Sequence, residues 1–210
     1  RCLYIKDMVI KMVQIITLIL PIYKGREMTE KCLESIQKNT RYPYKILIIA
    51  DEPKEMMNVD MDYDYLTDWQ LYMDIDLIIR KNREGVITAY NIGMKLAKGD
   101  VCFIQNDAEY PTLEGDCWLT RLVKKSKEKE DTGIVVCANS GNNHFFGGWC
   151  AFIKKTTINE VGYLDERYGW AMMDDVDYTK RVILHGLKIV MEDSFSVVHE
   201  GSATLKLLGR

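Results

Sequence analysis

The sequence predicts an α/β fold built on a mostly parallel central sheet flanked by helices. Three observations carry that prediction. Short β-branched and leucine runs recur along the first half of the chain, helical patterns separate them, and the runs break off at polar residues such as Asp51 and Gln105-Asn106-Asp107. Alternating strands and helices imply parallel pairing through right-handed crossovers. Open sheets of this kind gather ligand chemistry at the carboxyl ends of their strands.

Residues 14–20 form a β-branched and leucine run that predicts a strand buried on both faces and stopped by Pro21. Met28, Cys32, Leu33 and Ile36 then share one helical face, and Asn39-Thr40 with Pro43 ends that helix. A second buried strand over 45–50 ends at Asp51, and a third covers 75–80. The Asp-, Met- and Tyr-rich stretch between them has no assignable pattern. A helix over 86–98 sets Ile87, Tyr90, Met94 and Ala97 in register, with Gly99 as its C-terminal cap. Residues 101–104 give a fourth strand. Beyond Pro111 the rhythm becomes mixed: a helix over 116–128, a strand over 133–138 and the turn-rich loop Ser140-Gly141-Asn142-Asn143. Strands over 150–153 and 188–191 and a helix over 175–185, capped by Gly186, complete the list.

The chain has 210 residues, of which 47% are apolar, enough for a proper core. A net charge of -3 argues against nucleic acid as a partner, because binding phosphate backbones needs a basic face. An anionic ligand therefore needs local help from a metal or from backbone amides. The six cysteines (Cys2, Cys32, Cys102, Cys117, Cys137 and Cys150) include no Cys-x-x-Cys pair and read as reduced core residues of a cytoplasmic protein. The apolar run from Met8 to Leu20 is broken by Lys11 and Gln14, so no membrane span is expected. A start at Arg1 instead of Met is read as a fragment of something longer.

If the first four strands are parallel, one sheet edge collects Pro21 with Tyr23, then Asp51, then Arg80 with Asn82, then Asn106 with Asp107. A nucleotide would lie across those ends. No Gly-x-Gly-x-x-Gly turn or Gly-Lys-Ser/Thr loop is present, which disfavours a dinucleotide dehydrogenase or a P-loop enzyme. Asp107 is a hard oxygen ligand that can share Mg²⁺ or Mn²⁺ with a diphosphate; alternatively it caps the turn into Glu109-Tyr110-Pro111. Asp51 before Glu52-Pro53 is also ordinary turn chemistry. Asp174 and Asp175 open a helix, where they serve either as a cap with an acidic first turn or as an ionised proton acceptor. His199 is either a satisfied side chain or a metal partner of Asp107, whereas His144 and His185 lack such context.

In order along the chain, Leu20-Pro21-Ile22-Tyr23, Ile48-Ile49-Ala50-Asp51, the segment from Asn82 through Asn91-Ile92-Gly93 to Gly99-Asp100, Gln105-Asn106-Asp107, and Gly147-Gly148 leading to residues 161–166 and Asp174-Asp175-Val176-Asp177 make up a set. That ordered set resembles the family 2 GT-A fold glycosyltransferases, inverting enzymes with nucleotide-sugar donors. His199-x-Gly201-Ser202-x-Thr204 is similar to the rhamnosyltransferase branch, and the compact form to the first domain of multidomain glycosyltransferases of large algal viruses. The resemblance implies a single GT-A domain over 1–210. Its nucleotide-sugar half spans about 14–110, and its acceptor and base half about 111–204.

It further implies that Asp51 contacts the base of a uridine or thymidine diphosphate, with Pro21, Tyr23, Asn82, Asn91 and Asn106 completing the donor pocket. Asp107 matches the last acid of the Asp-x-Asp metal motif and His199 its distal partner, for Mn²⁺ or Mg²⁺. Asp175 matches the general base, with Asp174 beside it, and Gly148 and Trp149 the acceptor site. Gln105 departs from the family by replacing the first acid of the metal motif, and Asp51 lacks the usual Asp-Gly-Ser that follows. Gln-x-x-Arg-Trp is absent, which points to single-sugar addition onto a glycan hydroxyl in the cytoplasm, or in the host cytoplasm for a viral protein. The alternatives are a sugar-nucleotide pyrophosphorylase and a catalytically degenerate glycan-binding module.

Overall fold

The computed structural model describes residues 14–51, 63–138, 146–170 and 173–201. The Glu52-Pro53 turn, the loop at 140–143, His144, Ser202, Thr204, Cys2 and the run from Met8 through Lys11 lie outside the described residues. Strands β1 (Ile16–Ile22), β2 (Tyr44–Asp51), β3 (Ile75–Arg80) and β4 (Val101–Ile104) come first, separated by helices α1 (Arg26–Asn39), α2 (Tyr65–Gln70) and α3 (Gly85–Leu96). Then follow β5 (Ala108–Glu109), α4 (Trp118–Ser126), β6 (Thr132–Ala138), β7 (Cys150–Ile153), α5 (Lys155–Val161), α6 (Asp174–Leu184), β8 (Lys188–Ser196) and β9 (Val198–His199).

The main sheet has the order β3-β2-β1-β4-β7-β6-β8, with β5 and β9 forming a separate pair. The β1–β2, β2–β3, β1–β4 and β6–β8 pairings are parallel. Strand β7 runs antiparallel to both β4 and β6, the mixed character expected of the second half. This is the α/β architecture with a mostly parallel central sheet that the sequence predicts.

Side-chain alternation explains why the sheet carries helices on both faces. Leu18 and Leu20 of β1 join the core with α1 and α4, while Ile19 joins the core with α3 and α6. Strand β2 repeats the pattern with Ile46 and Ile48 against Leu47 and Ile49, and β4 with Cys102 and Ile104 against Phe103. The five described cysteines are all buried free thiols, in line with the sequence reading.

Four details differ from expectation. Pro21 lies inside β1 and does not stop it: β1 pairs with β4 only through Ile19, so the missing N–H breaks no bond on that side. Helix α3 ends at Leu96 with Ala97 as its cap, whose N–H donates to Gly93 O, so Gly99 plays no capping part. Helices α2 and α5 are additional elements. Strand β8 extends well beyond the expected residue 191.

Gly93 sets the depth at which α3 packs. A Cβ there would come within 2.5–2.7 Å of three atoms of the fully buried Ile19. Gly93→Ala should therefore lose roughly 1–3 kcal/mol of stability by overpacking, despite about 1 kcal/mol of gained helix propensity. Urea denaturation of the two proteins checks this; an equal or higher midpoint would refute the close-packing argument.

Candidate active site

The parallel strands β3, β2, β1 and β4 end side by side, and a cleft of about 680 Å³ opens over their carboxyl ends. Pro21, Tyr23, Asp51, Asn106 and Asp107 line its floor. Gly148 and Trp149, from the turn before β7, line the opposite wall, with Asp174 and Asp175 at the start of α6. His199 closes one end. Asn82 and Asn91 stand apart from the cleft. Asn82 is exposed. Asn91 is buried, donates from its amide to Leu164 O (2.9 Å) and Glu166 Oε1 (2.8 Å), and accepts from Leu164 N at 2.9 Å.

Asp51 ties the donor side together. Its Oδ1 lies 2.6 Å from Arg80 Nη2, with the two side chains 4% and 8% exposed. Its Oδ2 accepts from Gly85 N at 3.0 Å and Glu84 N at 3.2 Å, capping α3 from a neighbouring strand. Arg80 Nη2 also donates to Gly85 O at 2.9 Å. Burial raises the Asp51 carboxyl above the ordinary value, opposed by the Gly85 amide and the Arg80 charge. Gly85 has φ +85, and a Cβ there would strike Trp170 Cα at 2.6 Å. Val86 N donates to Trp170 O at 3.0 Å, so the chain leading toward α6 is docked on the start of α3.

At the other end, β5 pairs antiparallel with β9, setting Ala108 opposite His199, and Glu200 N donates to Asp107 O at 3.1 Å. This brings His199 Nε2 to 3.2 Å from Asp107 Oδ1, with both side chains nearly buried. The Trp149 ring stacks on the imidazole with centroids 5.1 Å apart. His199 Nε2 is buried without an aligned hydrogen-bond partner. A carboxylate oxygen and an imidazole nitrogen facing each other suit a divalent cation. Among the described residues no third His, Cys, Asp or Glu joins them.

Gln105 has a physical reason to be neutral. It hydrogen-bonds the Tyr90 hydroxyl, and its amide nitrogen lies beside Gly148, where an added Cβ would sit 3.1 Å away. Tyr90 is stacked flat on Phe103 at 3.9 Å, and its hydroxyl lies 3.1 Å from Ile104 O and 2.9 Å from Gly148 O. A carboxylate at position 105 would face two carbonyl oxygens across a buried phenol, an unfavourable place for negative charge. Asn106 likewise turns inward: its amide donates to Thr29 Oγ1 at 3.2 Å, holding the turn into α1.

Helix α6 begins with Asp174, Asp175 and Asp177 in its first turn, where the helix dipole favours ionised carboxylates. Asp175 Oδ1 accepts from Val176 N at 2.7 Å, which fixes the carboxyl group and leaves Oδ2 for a ligand. Asp177 is instead paired with Arg181 at 2.8 Å. Met173, just before the helix, has φ 68, an unusual conformation for a non-glycine residue, and it lines the cleft.

The residues of the chain from 17 to 172 match the family model described as Glycosyl transferase family 2. The chain belongs to glycosyl transferase family 2. Its fold is accordingly the GT-A fold. Among solved structures it is similar to the mannosyltransferase PcManGT from Pyrobaculum calidifontis in complex with GDP-Man and Mn²⁺, with 17% identity and a TM-score of 0.73 over 91% of this chain and 59% of that one. GalNAc-T7 with UDP, GalNAc and Mn²⁺ aligns with 14% identity and a TM-score of 0.74, over 90% of this chain and 44% of that one. S. aureus TarS 1-349 in complex with UDP aligns with 14% identity and a TM-score of 0.67, over 88% and 59%. The chain thus spans about half the length of these structures. Among curated proteins no sequence is significantly similar.

Sequence reasoning placed Arg80 at this sheet edge but missed Arg83, Tyr90 and Trp170 as cleft residues. Arg80 and Arg83 flank the Asn82 that was singled out, and only the curl of the β3–α3 turn decides which of these side chains faces in. The Asp51–Arg80 pair generates a stability prediction. Asp51→Ala strands a buried guanidinium and should cost about 3–5 kcal/mol in chemical denaturation. Adding Arg80→Met should restore part of the loss; additive losses would show that the two side chains do not act as a unit.

Proposed function

We propose that this chain moves one sugar from a nucleotide-sugar donor to a glycan hydroxyl with inversion at the anomeric carbon, using Asp175 as general base and Asp174 beside it. The observation that carries this reading is that the Asp107–His199 pair and the Asp175 carboxylate line one cleft. The donor's nucleoside lies by Pro21 and Asp51, with its diphosphate running past Tyr23 toward Asp107. Complexes of the solved neighbours with GDP-Man and Mn²⁺, and with UDP, support a sugar nucleotide in such a cleft. The order of motifs ending in His199 and Gly201 favours a UDP- or dTDP-linked hexose or rhamnose.

The chemistry asked of the side chains is limited. Asp175 holds Oδ2 toward the acceptor and accepts the hydroxyl proton as that oxygen attacks. The anomeric carbon passes through an oxocarbenium-like state in a single displacement, without a covalent enzyme intermediate. A divalent cation, held by Asp107 and His199, would offset the negative charge of the departing diphosphate when bound. Gly148 and Trp149 form the acceptor wall, where the indole offers an apolar face to a sugar ring.

Asp175→Asn should lower kcat by ~10²–10⁴-fold with little change in nucleotide affinity. Asp107→Ala should instead weaken the Mn²⁺-dependent part of nucleoside diphosphate binding, read by calorimetry with UDP, dTDP and GDP. Near wild-type turnover in the Asn variant would end the base assignment. A product with retained anomeric configuration, read by proton NMR, would end the single-displacement mechanism.

A further inference from the structure

We propose that Arg83 is the cleft's own anion site, a guanidinium held ready for the phosphates of the sugar-nucleotide donor. The Arg83 guanidinium carbon lies 4.2 Å from the Tyr23 ring centroid and 4.3 Å from the Trp170 ring centroid. The two rings come from distant parts of the chain, one after β1 and one before α6, and all three side chains line the cleft. At these distances both rings hold the cation by cation–π attraction. Its five N–H donors remain along the rim of the plane.

Its charge is unspent. Among the described residues no carboxylate approaches the Arg83 guanidinium within 4.0 Å, and it makes no hydrogen bond. Arg80, three residues earlier, differs: it is committed to Asp51, Glu84 and Gly85 O. An arginine in a cleft that also contains Asp51, Asp107, Asp174 and Asp175 would ordinarily be drawn into an ion pair, and Arg83 is kept out of one by its aromatic partners.

The ligand chemistry follows from what is left free. A full positive charge with a rim of donors is matched best by a doubly coordinating anion, and charge-assisted bonds to phosphate are about twice as strong as bonds to a neutral carbonyl. Among the described residues only Asp107 and His199 face each other at the far end of the cleft, because Gln105 is neutral and turned toward Tyr90 and Gly148, so little positive charge is supplied there by the protein itself. Arg83 therefore supplies a fixed cation that holds donor phosphates even without a divalent ion. The inference rests on the donor reading proposed above.

The test is calorimetric titration of the whole chain with UDP, GDP, uridine and guanosine, each in EDTA and in Mn²⁺. In EDTA, Arg83→Met should weaken binding of the nucleoside diphosphate that the wild type binds by at least about tenfold while leaving its nucleoside unchanged, and Arg83→Lys, which keeps the charge but not the planar fork, should fall between the two. Wild-type diphosphate affinity should also fall with added NaCl more steeply than that of Arg83→Met. Unchanged diphosphate affinity in Arg83→Met, or an equal loss for diphosphate and nucleoside, would overturn the assignment; the second outcome would make Arg83 a base contact. Wild-type protein that binds neither diphosphate in either buffer would sink the donor reading itself. Near-ultraviolet circular dichroism of both variants separates a local loss from misfolding.

Discussion

The buried carboxylate of Asp51 is the constraint on which the donor side of the cleft depends. It meets Arg80 from the next strand and the first amides of α3, so one side chain fixes the mutual height of β2, β3 and α3. Two charges removed from water are costly unless each is matched, and here the match uses a guanidinium and two backbone N–H groups. Gly85 at that junction leaves room for the Trp170 backbone, which carries the influence of Asp51 across to the segment before α6. The two walls of the cleft are thus set against a common knot.

A second link crosses the middle. Tyr90 is anchored by stacking on Phe103 of β4 and reaches Gly148 O with its hydroxyl, so the end of β4 and the turn before β7 are held at one phenol's length. Because β7 is antiparallel, its leading turn arrives at the rim where the parallel strands end. Reversal of a single strand is what lets residues 147–149 face Asp107 instead of lying at the far side of the sheet.

Much of this was legible in the sequence. Strands β1 to β4, helices α1 and α3, and the acidic start of α6 follow from strong periodicity and from acids placed at element ends. The unseen parts are those fixed by tertiary contact. Helix α5 begins Lys-Thr-Thr and has little intrinsic preference for helix, and β5 and β9 are two-residue strands that exist only because they pair with each other. Asn91 sits in a family motif, yet its amide is fully used by Leu164 and Glu166, and no periodicity distinguishes a buried clamp from a ligand contact. Arg83 and Trp170 were hidden for the complementary reason: each is unremarkable alone and gains meaning only when the fold brings it to Tyr23.

The pairing of β5 with β9 has a consequence for the order in which the chain folds. Asp107 and His199 lie about 90 residues apart, so the first four strands and their helices can form before the two side chains meet. Closure of so long a loop is slow relative to local helix formation. The rim around Asp107 is therefore finished last, by a two-residue strand returning from the far end of the fold.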